Sequence, residues 1–301
     1  MNRLIHTLAL IALLLVAPLA RAELKVLACE PEWGALVKEL AGDKVSVYVA
    51  TTALQDPHRI EARPSLVAAA RNAGLVVCTG AELEVGWLPL LIRQSGNSAI
   101  QPGKPGHFEA AAYVRMLDVP QRLDRADGDV HAAGNPHIQT DPRNITLVAE
   151  PLARRLAELD PANAATYQAR SADFQARWKA AIQRWEQSAA PLRGVPVVVQ
   201  HKAFPYLQQW LGLVEVAALE PKPGVEPTSA HLSTVLAGLK TRPAKMILRA
   251  AYNDPRGADW LAERTQLPVV VLPFTVGGNE QAKDLFSLFD DTVQRLLKAN
   301  R

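Results

Sequence analysis

The chain carries no HExxH pair, no GxSxG elbow and no glycine-rich phosphate loop, so the commonest zinc-peptidase, serine-hydrolase and nucleotide-binding machineries are missing. It has no basic run either. Its 33 Lys and Arg residues are spread along the chain against 30 Asp and Glu, for a net charge of +3, and no nucleic-acid partner is expected. Low-complexity tracts are absent, as is any repeat shorter than a lobe. After the N-terminus no apolar run is long enough to span a bilayer. With only two cysteines, a multi-disulfide scaffold is excluded. Cys29 in LKVLACEPEW and Cys78 in AGLVVCTGAELE each end an apolar, strand-like run. In an oxidising compartment they are a candidate disulfide; two separate buried thiols are the alternative, because adjacent parallel strands do not always offer bridgeable geometry.

What is present begins with an export signal. Asn2-Arg3, the apolar LIHTLALIALLLVAPLA and the small-x-small Ala20-Arg21-Ala22 form a signal peptide over residues 1–22, with cleavage expected before Glu23. No cysteine stands immediately after the cleavage point, so no lipid anchor is expected there. The product is read as a soluble periplasmic or secreted protein.

The remaining chain alternates strand-like and helical stretches, the pattern of βαβ units in parallel sheets. LKVLAC, KVSVYVA and GLVVCTG are strands separated by the helical PEWGALVKELAG and RPSLVAAARNA, and residues 90–136 read as irregular strands and loops. Asp141-Pro142 and Asp160-Pro161 are helix-start signals. Tyr167, Phe174, Trp178, Ile182 and Trp185 then form one apolar stripe of a helix reaching about Ser188, roughly 40 Å long. After Gly194 the strand–helix alternation resumes four times. The expected fold class is α/β: an N-terminal lobe over 23–160, a linking backbone helix over 161–190 and a C-terminal lobe over 191–301.

Seven histidines punctuate this frame. His6 leaves with the signal peptide, His231 lies within an amphipathic helix, and His107 and His131 are read as loop residues. His58 and His201 each follow a strand and precede a helix, and His137 stands four residues before the Asp141 cap. In open α/β sheets, ligands bind beyond the carboxyl ends of the strands, so such positions line a cleft. Pro57 and Pro136 stiffen the backbone before two of these imidazoles. Neutral imidazole is the commonest metal ligand and is usually oriented by a partner on its other nitrogen. Asp56, Glu61 and Asp141 are candidates for that task, Asp141 fitting a helix cap better.

DPHRIEARPS, GNPHIQTDPRN, VVVQHKAFPYLQQWLGL and LEPKPGVEPTSAHL together resemble, in order, the motifs of the substrate-binding proteins of zinc and manganese ABC importers, the group with a rigid helical backbone. The resemblance spans essentially the whole mature chain. It implies a monomeric, non-enzymatic protein that captures one divalent ion between two lobes and delivers it to a membrane permease. His58, His137 and His201 fall on its first three ligand positions. A histidine at the third, where manganese binders usually have glutamate, favours Zn(II) as transported ligand, with Mn(II) or Fe(II) the alternative. The acidic fourth ligand of many members is replaced by Val276, and Glu280 nearby is either a substitute or a solvated charge. Three nitrogens and a water would also suit a zinc-dependent hydrolase, the rival class.

Overall fold

The computed structural model describes residues 23–124, 126 and 128–301; the expected signal peptide lies outside them. The first half contains β1 (Leu24–Ala28), α1 (Pro31–Ala41), β2 (Val45–Val49), α2 (Pro64–Asn72), β3 (Leu75–Cys78), α3 (Leu88–Ser95) and β4 (His107–Glu109). These strands form a parallel sheet in the order β2-β1-β3-β4. Two helices follow, α4 (Pro142–Leu159) and α5 (Ala164–Ser188). The second half has β5 (Pro196–Val199), α6 (Pro205–Leu211), β6 (Val214–Ala218), α7 (Ser229–Gly238), β7 (Met246–Ala250), α8 (Arg256–Thr265), β8 (Val269–Leu272) and α9 (Leu285–Ala299). Its sheet is also parallel, with the equivalent order β6-β5-β7-β8.

Helices cover both faces of each sheet, which is why the central strands lack polar alternation. All four residues of β3 and Val197–Val199 of β5 are buried. Asp141 caps α4 by accepting from the Arg143 amide, with Pro142 at the first helical position, as its sequence signal implies. At Asp160-Pro161 the signal is offset. A 3-10 turn, Pro161–Asn163, comes first, and the Asp160 carboxylate accepts from Asn163 Nδ2 and Tyr167 Oη, so α5 begins at Ala164.

With 25 residues, α5 is about 37 Å long. It packs against α1 and α4 of the first half and α9 of the second. Its buried stripe is Tyr167, Ser171, Phe174, Trp178, Ala181 and Trp185, with Ile182 only half-buried beside it. Trp178 meets Phe286 and Phe289 of α9 edge-on at 4.8 and 5.5 Å between ring centres. One continuous apolar core therefore runs through both halves along this helix.

One loop assignment is corrected: His107 opens the short edge strand β4, and its imidazole contacts the Ile100 carbonyl and the Glu109 carboxylate. Three residues in a Gly- and Pro-rich stretch are too few to show a strand's alternation.

Cys29 and Cys78 are joined in a disulfide. In the β1–β3 register Ala28 pairs with Val77, so the next residues along each strand stand side by side, with Cα atoms 4.8 Å apart. The bridge closes a sequence separation of 49 residues, for which chain entropy gives a stabilisation of up to about 4 kcal/mol. Reducing it is expected to shift the denaturation midpoint clearly downward. Equal midpoints for native chain and Cys29→Ala/Cys78→Ala would show that the bridge contributes nothing.

Candidate metal centre

Three loops bring His58, His137 and His201 together. The ligand atoms they offer all lie within 4.8 Å of one another, although up to 143 positions separate them in sequence (201 − 58). His58 stands in the loop between β2 and α2. Trp87 Nε1 donates to the Pro57 carbonyl at 2.9 Å and anchors that loop. Gly86 lets it approach: a Cβ there would lie 2.9 Å from the His58 carbonyl oxygen. His137 sits just before the turn leading into α4. The Asn135 side chain accepts from the His137 amide at 3.1 Å and donates to the Lys202 carbonyl at 2.8 Å, so one residue ties this loop to the second half. His201 stands just past the end of β5, separated from it by Gln200.

Carboxylates set the ring orientations. Asp56 Oδ1 is 2.7 Å from His58 Nδ1, and Glu220 Oε2 is 2.6 Å from His201 Nδ1. With both Nδ1 atoms so engaged, the Nε2 atoms of His58 and His201 are left for the centre, and His58 Nε2 is buried with no other partner. His137 Nε2 lies 3.4 Å from His201 Nε2. Two nitrogens bound tetrahedrally to zinc at about 2.05 Å stand roughly 3.3 Å apart, so this pair already has the spacing of a shared ion.

At His137 the electrostatics favour a neutral donor. Burial, reinforced by the neighbouring imidazoles, pulls His137 well below the ordinary imidazole range; it is 1% exposed. Burial, the largest single influence, would raise Asp56, but its hydrogen bonds to His58 and the nearby imidazoles of His58 and His201 together hold the carboxyl below its usual range. Phe274 closes one side, its ring 5.5 Å from that of His137, from a backbone at φ 70°.

Sequence reasoning offered Asp56, Glu61 and Asp141 as orienting partners. Asp56 fills that place; Glu61 is exposed, and Asp141 is bound to Arg143. Glu220 was missed. It follows β6, the parallel neighbour of β5, and its amide donates to the Gln200 carbonyl, which sets it beside His201. An acid just past a neighbouring strand was the available signal. Glu220 also accepts from the Gly224 amide at 2.8 Å, organising the 220–224 turn. Gly224 adopts φ +75°, and a Cβ there would fall 1.9 Å from Asp129 Oδ2, so the turn needs glycine.

His131 lies in a loop as expected, yet its ring stacks on His58 at 5.4 Å. Burial pulls it down to about 4. Its loop reaches the second half through Asp129 N, which donates to the Pro223 carbonyl at 2.8 Å. A pocket of about 260 Å³ outside the histidines is lined by Asp129, His131, Asn135, His137, His201 and Lys202. Glu280 is exposed and Val276 half-buried, and neither belongs to the cluster.

The chain as a whole is similar to known proteins. Residues 26–299 match the family model described as ZnuA, zinc-uptake complex component A, periplasmic. The high-affinity zinc uptake system protein ZnuA of Paracoccus denitrificans is 26% identical over 271 residues, covering 79% of either chain. The manganese ABC transporter substrate-binding lipoprotein PsaA of Streptococcus mitis is 22% identical over 286 residues, 92% of this chain and 87% of the relative. A crystal structure of ZnuA superposes with a TM-score of 0.77 at 23% identity, covering 92% of this chain and 99% of that one. A zinc-bound ZnuA deletion mutant gives 0.75 at 25% identity, with 92% and 98% covered.

Proposed function

Because the chain belongs to the ZnuA family, periplasmic substrate-binding components of metal ABC importers and not enzymes, we propose that it captures Zn(II) on His58, His137 and His201 and delivers the ion to the importer's membrane permease. The observation carrying this reading is the donor set: three convergent imidazoles, two of them held by carboxylates on their far nitrogens, and no carboxylate in the group itself. Nitrogen donors suit zinc, whereas manganese prefers carboxylate and water.

With Glu280 exposed, water completes the coordination, and an open position allows the ion to be released to the next binder. That water would lack a general base. Asp56 and Glu220 are engaged by the histidines they orient, and Asp129, which lines the outer pocket, faces Arg59 at 3.6 Å, which disfavours hydrolysis.

The protein acts as a monomer, matured by cleavage before Glu23. Its lobes, 23–160 and 191–301, are linked by 161–190, and the core continuous along α5 favours small tilts and loop ordering over wide hinge closure. Calorimetry of the metal-stripped protein tests the cargo: one zinc per chain, with manganese bound at least tenfold more weakly. Manganese binding as tightly as zinc, or several equal zinc sites, would overturn this reading.

A further inference from the structure

A second group of ionisable side chains lies away from the histidines, where the two halves meet. Glu30, Glu32 and Glu84 are 3%, 2% and 2% exposed, and among the described residues none forms a salt bridge. Glu84 accepts from the Thr79 and Gly80 amides, at 2.7 and 3.1 Å. Glu30 accepts a long bond from Thr79 Oγ1 at 3.3 Å, while its Oε1 has no partner. Glu32, in the first turn of α1, accepts from Thr275 Oγ1 at 2.5 Å. Thr275 belongs to the loop after β8, so this buried bond joins one half of the molecule to the other.

The Gln139 side chain, 2% exposed, also has an unpartnered oxygen, and it lines the same small cavity as Glu30, Glu32, Thr51 and Thr275. Buried acceptors without donors are strongly unfavourable, and a proton on a carboxyl converts an acceptor into a donor.

We propose that Glu30, Glu32 and Glu84 form a proton-binding site at the seam, in which Glu30 and Glu84 share one proton and Glu32 exchanges another, so that its charge state sets the strength of the contact between the halves. Burial drives each of these groups upward, Glu32 and Glu84 to about 7 and Glu30 well above the usual carboxyl range, the last aided by its two acidic neighbours. From β4, the His107–Glu109 pair is a further titratable neighbour among the described residues, His107 feeling the charge of Glu84. Thr275 adjoins Phe274, whose ring packs on His137, so loosening the seam reaches the wall of the metal centre. A carboxyl raised from 4.5 when unfolded to about 7 when folded contributes stability in acid that is lost as pH rises through that window.

The test is a carbon-13 NMR titration of the glutamate side-chain carboxyls in the full, metal-free chain, which reads the acids and not the imidazoles. Glu32 and Glu84 should both titrate with midpoints near 7; the signal absent in Glu32→Gln is that of Glu32, and it is the one displaced upward in Thr275→Val, where the bond favouring its charged form is lost. In parallel, the folding constant should fall by up to about tenfold per pH unit relative to Glu32→Gln across the window. Should Glu32→Gln fail to fold, the native and Thr275→Val titrations decide. All glutamates titrating below about 5.5, or a midpoint unmoved in Thr275→Val, would overturn the proposal.

Discussion

Replacing His137 by alanine is expected to weaken zinc binding by up to several hundredfold. Zinc bound by a full set of four protein ligands gains about 10–16 kcal/mol, so one ligand is worth roughly 2.5–4 kcal/mol, up to several hundredfold. The substitution separates cargo from fold. Of the His137 ring nitrogens, Nδ1 has no partner and Nε2 meets only His201 Nε2, so the metal-free chain loses that contact and the packing on Phe274, which the denaturation control measures. Competition against a chelating dye gives the affinity, and denaturation of metal-free protein gives the control. Glu220→Gln should show a smaller loss, about 10- to 100-fold, because it leaves every ligand in place and removes the carboxylate charge that holds His201 Nδ1 and the Gly224 amide. A His137→Ala protein that binds zinc like the native one would remove that histidine from the site.

Acidification is expected to release the ion. A ligating imidazole must be neutral, so each ligand that takes up a proton costs about tenfold in affinity per pH unit below its own pKa. His137 is held well below the usual 6.5 by burial, so it yields to protons later than a free imidazole would, and affinity should fall ever more steeply as pH drops from about 7 towards 5. Metal-free protein should show a related trend. An imidazole depressed in the folded state contributes stability that is present above 6.5 and lost as pH falls; for His131 the window runs from 6.5 down to about 4. This acid effect is opposite in sign to that of the buried glutamates, and substitution tells the two apart. Zinc affinity unchanged between pH 7.5 and 5 would contradict neutral imidazole ligation.

Much of the architecture could be read from pattern because strands buried on both faces write continuous Val-rich runs, and Pro142 with Asp141 marks a helix start. The histidines were legible for a related reason: a residue just past a parallel strand and before a helix stands at the sheet's carboxyl edge, whatever its distance in sequence from its partners. What stayed hidden depends on strand order and loop path. Glu220 reaches His201 only because β6 neighbours β5, an adjacency that linear sequence does not state. His131 meets His58 because its loop crosses to the 222–224 turn, and no periodicity encodes such a crossing. The Glu32–Thr275 bond spans 243 positions and depends on how the halves pack.

The most direct measurement is a crystal structure of the zinc-loaded protein with diffraction recorded on either side of the zinc absorption edge. One anomalous peak per chain should appear within about 2.0–2.1 Å of His58 Nε2, His137 Nε2 and His201 Nε2, and vanish below the edge. A zinc peak elsewhere, with these three nitrogens bound to no metal, would contradict the assignment.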